Sequence, residues 1–389
     1  MMDFKEILER VNTFHICTRC TGRLFAQVGH ELDNFKRGES IAFVAESMGA
    51  KLELVSEVEC SICKGIFSEI DTYASEIERM TKNFEFNSML VGSTFSQETL
   101  TLEKNYQELC GSKGEPIKKE FSRELGKVVL ERMRKEFDRV NPEIMIKVNT
   151  EFMSVDLQIK SLYIYGTYRK YIRGIPQTRW IKYSEETRTV ESLIGAPIIA
   201  MSKGKDYALH GAGREDVDVR MLGNGREFVL EVHDPVIRTL VLKKVEDIIN
   251  DQKEGVEVCN LRFSSKEEVV KIKSDRHAKI YNAKISLRGE DNFAQVSEAT
   301  KELIGKVIYQ RTPLRVSISR SDLIRERKII DIKPQIESDG SIILTIEAEA
   351  GTYIKELISG DEGRTKPSLS ELLSKEVRIE ELDVIEILR

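Results

Sequence analysis

Four of the six cysteines fall in two Cys-x-x-Cys pairs, Cys17/Cys20 and Cys60/Cys63, and this pattern restricts the fold more than any other feature of the chain. The opening residues, Met-Met-Asp-Phe-Lys-Glu, carry no apolar signal-peptide core. In a chain expected in the reducing cytoplasm, paired thiols read as a metal site before they read as disulfides. Each Cys-x-x-Cys turn presents two thiolates to one side of an ion. Two such turns complete a tetrahedral Zn²⁺ shell and leave no position open for chemistry. The 39 residues between Cys20 and Cys60 exceed the spacing of a compact zinc ribbon, so two separate pairs of free thiols are the competing reading. A structural Zn²⁺ bound by Cys17, Cys20, Cys60 and Cys63 is the expectation, closing a domain too small to rely on core burial alone. Cys110 and Cys259 stand alone and read as buried thiols.

At 389 residues the chain is too long for one core and suits two or three domains. No apolar run approaches the roughly 18–20 residues that span a bilayer, so no membrane association is expected. The net charge of −5 argues on its face against a nucleic-acid partner. The charge is unevenly distributed, however. Lys160 to Lys182 holds six Lys or Arg residues and no acid, and Lys306 to Arg320 holds four more, again without an acid. Any RNA-binding face must therefore be concentrated in patches.

Hydrophobic periodicity divides the chain near residue 150. Before it, helices are expected at 38–48, 65–82 and 115–138, with short strands at 84–91 and 144–148. The 115–138 helix carries Ile117, Phe121, Leu125, Val128 and Met133 on one side and a basic but acid-diluted face on the other. After residue 150, β-branched alternating segments dominate: 156–165, 207–211, 227–232, 256–263, 277–287, 328–332, 342–348 and 377–387. Shorter helices fall between them. Strands outnumber helices and often follow one another directly, which predicts an α+β fold with a mixed, mainly antiparallel sheet. The expected domains are 1–150 and 151–389.

Two segments carry chemistry. In Ser161–Trp180, Arg169, Lys170, Arg173 and Arg179 can neutralise phosphates, and four tyrosines and Trp180 can stack on bases. Gly166, Gly174 and Pro176 suggest a projecting loop or hairpin tip. A solvated hairpin with half-buried tyrosines is the plain alternative. In Gly211-Ala-Gly-Arg-Glu-Asp-Val-Asp-Val-Arg220, three carboxylates lie between Arg214 and Arg220 after a short apolar strand. Acids this close are costly to neutralise together, which marks at least one for a role. The spacing lacks the regular oxygen ligands of a calcium loop, and a surface salt-bridge turn is the alternative.

The Gly213-Arg-Glu-Asp216 loop resembles the Gly-Arg-x-Asp catalytic signature of pseudouridine synthases. The segments Cys17–Cys20, Cys60–Cys63, Arg169–Trp180, Gly213–Gly225, His277–Ala283 and Gly351–Ser368 are similar, in order, to the archaeal-type synthases that modify uridines 54 and 55 in the TΨC arm of tRNA. The resemblance implies a zinc-containing, THUMP-related RNA-binding domain of α/β type followed by a pseudouridine synthase domain. It implies Asp216, rather than Asp218, as the catalytic carboxylate. It also implies substrate contacts from Arg214, from Tyr281 stacked on the target uracil, and from Tyr353. Lys355, in Gly351-Thr-Tyr-Ile-Lys355, takes the place of a cation kept beside the catalytic aspartate, where it favours the charged carboxylate. The Ser161–Lys182 stretch corresponds to a finger-like loop that grips the RNA, with Lys306–Arg320 as a second grip. The implied partner is tRNA, with no protein partner and no catalytic cofactor.

Two other classes compete. A non-catalytic tRNA-binding or tRNA-remodelling protein on the same scaffold would lose the carboxylate, and Asp216 is present. A methyltransferase or thiouridine-forming enzyme with a THUMP-like domain needs a glycine-rich nucleotide loop. The chain contains neither GxGxxG nor GxxxxGK[ST].

Overall fold

The structure, a computed structural model, describes residues 4–29, 31–112, 114–179, 188–288, 293–317 and 321–389. The chain forms two compact units, Met1–Lys160 and Ser161–Arg389.

In the first unit a four-stranded sheet runs in the order Glu136–Phe137, Ser88–Thr94, Ile144–Asn149, Ser154–Ile159. Ser88–Thr94 is parallel to its two neighbours, and the last strand is antiparallel to Ile144–Asn149. Period-two alternation buries Met89 and Val91 on one face, as a half-covered strand requires. Over that face lie the helices Ile70–Thr81 and Ile117–Met133, with Phe121, Leu125 and Val129 fully buried. Phe67, Tyr73 and Phe95 meet the Phe121 ring edge-on at 5.7–6.0 Å. Three cations of the basic face of Ile117–Met133 are paired: Arg123 with Glu115 and Glu124, Lys127 with Glu124, and Arg132 with Asp71. The helices Thr18–Leu24 and Asn34–Ser47 cross closely enough to demand two glycines. A Cβ on Gly22 would lie 1.8 Å from the Asn34 carbonyl oxygen, and one on Gly38 would lie 1.9 Å from that of Thr18.

The expected strand 156–165 is two strands. Ser154–Ile159 joins the first sheet and Leu162–Lys170 enters the second, so the units divide ten residues beyond the expected boundary at 150. Alternation runs on through the break at Lys160–Ser161, and pattern alone does not register a change of sheet.

The second unit is built on a ten-stranded sheet. Its order is Thr365–Lys366, Val307–Arg311, Ile324–Ile336, Ile342–Ala348, Lys279–Leu287, Val377–Ile387, Val219–His233, Leu162–Lys170, Val256–Ser264. Asp206–Gly211 pairs with the far half of Val219–His233, beyond the point where Val377–Ile387 leaves it. Val377–Ile387 runs parallel to Val219–His233 and the other pairings are antiparallel, giving the mixed, mainly antiparallel sheet expected. The helices Val190–Ser202 and Leu242–Asp251 pack at the Asp206–Gly211 and Val256–Ser264 end of the sheet, and Ile164, Phe228, Leu230, Ile285 and Ile346 lie in the core.

One correction follows for the basic aromatic stretch. Its first half, Leu162–Lys170, is an interior strand with partners on both edges and is not a projecting loop. Tyr163 and Tyr168 are buried. Aromatic and β-branched side chains that can stack on bases also fit the pleated surface of a doubly covered sheet.

Candidate active site

The loop carrying Asp216 connects Asp206–Gly211 to Val219–His233. It has no regular secondary structure, so its carbonyls must find donors elsewhere. Arg226 Nη1 donates to Ala212 O (2.7 Å), and Gln177 Nε2 donates to Gly213 O (3.0 Å). Lys170 Nζ donates to Asp216 O and Val217 O (3.2 Å each) and to Ile175 O (2.8 Å). Arg173 Nη1 donates to Asp218 O at 2.9 Å. Gly213 has φ +89°, and a Cβ there would sit 2.8 Å from Arg226 Nη1, so the turn needs glycine on both counts.

Beneath the loop a charge network is sealed from solvent. Arg226 Nε meets Glu215 at 2.8 Å, and Tyr168 OH lies 2.8 Å from both Glu215 oxygens. Burial raises the Tyr168 phenol well above its usual range, and the adjacent Glu215 charge adds to it. Burial also lowers Lys170. The loop backbone is thus fixed from below, which leaves the Asp216 side chain facing outward and 34 % exposed.

Two cations meet that side chain. Arg315 Nη1 donates to Asp216 Oδ1 at 2.7 Å, and Lys355 Nζ stands 3.5 Å from Oδ2. Lys355 lies closer to Asp218, at 2.7 Å from both of its oxygens. Burial alone would raise Asp218, but the Lys355 ammonium outweighs it and holds the carboxyl below its usual range. Behind Arg315, the buried Glu356 accepts from Nε at 2.7 Å. The helix Ile354–Ser359, which carries Lys355 and Glu356, is set by Gln310. Its side-chain amide closes a pair of 2.9 Å bonds with the Tyr353 backbone.

Asp216, Arg214, Tyr281, Tyr353, Lys355 and Arg315 line a cleft of about 660 Å³. Tyr281 comes from the centre of the sheet, and burial pushes its phenol up to about 12. Lys279, two residues earlier on the same strand, lines the cleft too. Burial and then the Arg226 charge push it down to about 8.

The five residues expected at the reaction centre (Asp216, Arg214, Tyr281, Tyr353 and Lys355) therefore share one cleft. The residues expected to grip RNA do not form a set. Lys170 is fully buried and holds the Asp216 loop, so it is not a phosphate contact. Arg173 is a strut, bonded to Asp218 O, Leu382 O, Glu381 and Asp383. Arg169 donates to Gly223 O, and Arg179 is exposed. Trp180 lies outside the described residues. The sequence places Arg315 only within a basic stretch and Glu215 only among the three acids of its loop, and it does not single out Glu356, Arg226 or Lys279. The neighbour of Lys355 in sequence, Glu356, was the available signal.

In the first unit, Cys17 Sγ lies 3.6 Å from Cys63 Sγ, and Cys60 Sγ lies 3.5 Å from Cys20 Sγ. All four sulfurs are buried and within 4.8 Å of one another. With Zn–S bonds of about 2.3 Å, a tetrahedral shell has sulfur–sulfur edges of about 3.8 Å, so the four thiols are grouped closely enough to hold a metal ion. Cys110 is buried and Cys259 half-buried.

Residues 163–388 match the family model described as Pus10, C-terminal, and residues 73–149 match the Pus10 THUMP domain, archaeal. The chain is 45 % identical over 386 residues to the tRNA pseudouridine synthase Pus10 of Thermoplasma acidophilum, covering 99 % of each chain. It is 42 % identical to that of Picrophilus torridus, covering 100 % of each. A solved archaeal box H/ACA sRNP Nop10-Cbf5 complex aligns at 14 % identity with a TM-score of 0.30, over 57 % of this chain and 47 % of that one.

Proposed function

The chain belongs to the Pus10 family of tRNA pseudouridine synthases, and from that premise we propose that it isomerises uridine 55, and also uridine 54, in the TΨC arm of tRNA with Asp216 as the catalytic carboxylate. It is an isomerase. The observation that carries the assignment is the Asp216 carboxylate, held between Arg315 and Lys355 at a cleft shared with Tyr281 and Tyr353.

The reaction breaks C1′–N1, turns the uracil, joins C1′ to C5, and moves the proton from C5 to solvent while N1 gains one. Composition is unchanged, so the balance requires no oxidant, reductant or phosphoryl donor. What it requires is an anionic group at the sugar, acting as nucleophile or base, and a surface that holds the base while it turns. Arg315 and Lys355 stand beside the Asp216 carboxylate, and a loop already bonded through its carbonyls places it without reorganisation in the transition state. Tyr281 supplies an aromatic face for the uracil. Tyr353 and Arg214 supply further contacts.

The target uridine must leave its stack, at a cost of a few kcal/mol, which contacts to flanking nucleotides offset. Arg169, Arg179, Trp180 and the Lys306–Arg320 segment, Arg315 apart, are our candidates for that grip. The THUMP domain gives a second hold on the tRNA, and Cys17, Cys20, Cys60 and Cys63 would hold a structural Zn²⁺ that ties its N-terminal helices together.

Release of tritium from tRNA carrying [5-³H]uridine tests the assignment. Wild-type protein releases label and Asp216→Asn does not. Release by Asp216→Asn at the wild-type rate contradicts the role given to Asp216. Silence from both proteins, with tRNA binding intact, favours the tRNA-binding or remodelling alternative.

A further inference from the structure

We propose that Arg315, and not Lys355, is the principal counter-cation of Asp216, and that Glu356 is the positioning residue that sets it. The proposal rests on Asp216 being the catalytic carboxylate. The geometry separates the two cations. Arg315 makes a hydrogen bond to Asp216 at 2.7 Å, whereas Lys355 stands at 3.5 Å, outside the range of a good charge-assisted bond. Lys355 spends its ammonium on both oxygens of Asp218.

The guanidinium has the further advantage of shape. It is a planar fork, and its Nε edge is pinned on buried Glu356, with Nη2 at 3.4 Å from the second oxygen. Fixing one edge fixes the direction of Nη1, which then addresses Asp216 Oδ1. A lysine, with a single flexible ammonium, has no such second edge. Arg315 sits on the short turn Leu314–Val316, whose Leu314 N–H is held by Asp361. It is therefore anchored at backbone and side chain before substrate arrives.

Other charges around Asp216 do not replace this contact. On its own loop are Arg214, Glu215 and Asp218. From beneath, Lys170 and Arg173 bond main-chain carbonyls, and Arg226 is paired to Glu215. Across the cleft, the strand Lys279–Leu287 brings Lys279 and Tyr281, and the helix Ile354–Ser359 with the residue before it brings Tyr353, Lys355 and Glu356. Among the described residues, only Arg315 and Lys355 form ion pairs with the Asp216 carboxylate.

Single-turnover tritium release is the test, run with wild type, Arg315→Gln, Arg315→Lys, Glu356→Gln, Lys355→Gln and Asp216→Asn, beside tRNA affinity for each. The single-turnover rate should fall by about a hundredfold in Arg315→Gln, the scale of a small misplacement of a reacting group, by less in Glu356→Gln, and least in Lys355→Gln. Arg315→Lys should recover only part of the rate, because the charge is kept and the fork is lost. Affinity for tRNA should stay within about threefold throughout.

A wild-type single-turnover rate in Arg315→Gln with weakened tRNA binding would make Arg315 a phosphate contact and overturn the proposal. So would a larger loss of rate in Lys355→Gln than in Arg315→Gln. If Arg315→Gln does not fold, Glu356→Gln at the wild-type rate overturns it alone. Label release by Asp216→Asn would instead remove the premise, and is read separately.

Discussion

The Lys170 ammonium lies 3.2 Å from the main-chain carbonyl oxygen of Asp216, fully buried at the end of an interior strand. A lysine in an acid-free stretch thus supports the backbone of the candidate catalytic residue from below. Replacing it by methionine keeps the apolar stem but removes the ammonium that ties the Ile175, Asp216 and Val217 carbonyls together. Lys170→Met should slow single-turnover conversion by about a hundredfold, the scale of a small misplacement of a reacting group, with little change in tRNA affinity. The log–log salt dependence of binding separates the two roles. A lost phosphate contact lowers that slope by about 1, and Lys170→Met should leave it unchanged.

Arg226 and Glu215 form a pair removed from water. Removing one partner leaves an uncompensated buried charge, worth about 3–5 kcal/mol. Arg226→Met should lower the calorimetric Tm of the second unit by about 10 °C, at about 2–4 °C per kcal/mol for a unit of this size. The double change Arg226→Met/Glu215→Gln should recover part of that loss. A recovery of zero would mean that the pair is not coupled.

The cysteine cluster predicts one zinc per chain by elemental analysis of protein prepared without added metal. Thiol alkylation at Cys17, Cys20, Cys60 and Cys63 should become fast only after a chelator, together with a drop in Tm. Protein that holds no metal and melts identically with chelator would mean that the thiols are unligated.

Lys279 carries a pH signature. Its folded value of about 8 lies below the usual lysine value of about 10.4, because burial and the Arg226 charge oppose the ammonium. Between these two values the unfolded chain binds more protons than the folded one, so stability rises with pH. Compared with Lys279→Met, wild-type protein should gain stability as pH increases from about 8 to about 10.4, and lose that gain as pH falls back through 8. Denaturant midpoints of both proteins at pH 7, 9 and 10.5 measure it. Parallel curves would contradict it.

What the sequence reveals here follows from what each pattern encodes. Local periodicity marks Ile342–Ala348 and Val377–Ile387 to the residue, because apolar spacing is dictated by the element itself. It does not mark the break at Lys160–Ser161, where alternation continues across two sheets. Nor does composition tell a cation facing solvent from one bonded beneath a loop, which is why Lys170 and Arg173 read as phosphate ligands. The Gly213–Asp216 and Gly351–Lys355 motifs locate both walls of the cleft, since turns at φ +89° and +81° need those glycines. Arg315, 99 residues from Asp216, reaches it only through sheet pairing. Glu356 gains its role only from what Arg315 does.

Carbodiimide treatment and primer extension on unmodified tRNA, incubated with wild-type protein or Asp216→Ala, tests the central claim most directly. The account predicts new stops in the TΨC arm, at positions 55 and 54, with wild type and none with Asp216→Ala. Stops of equal strength with both proteins would contradict it.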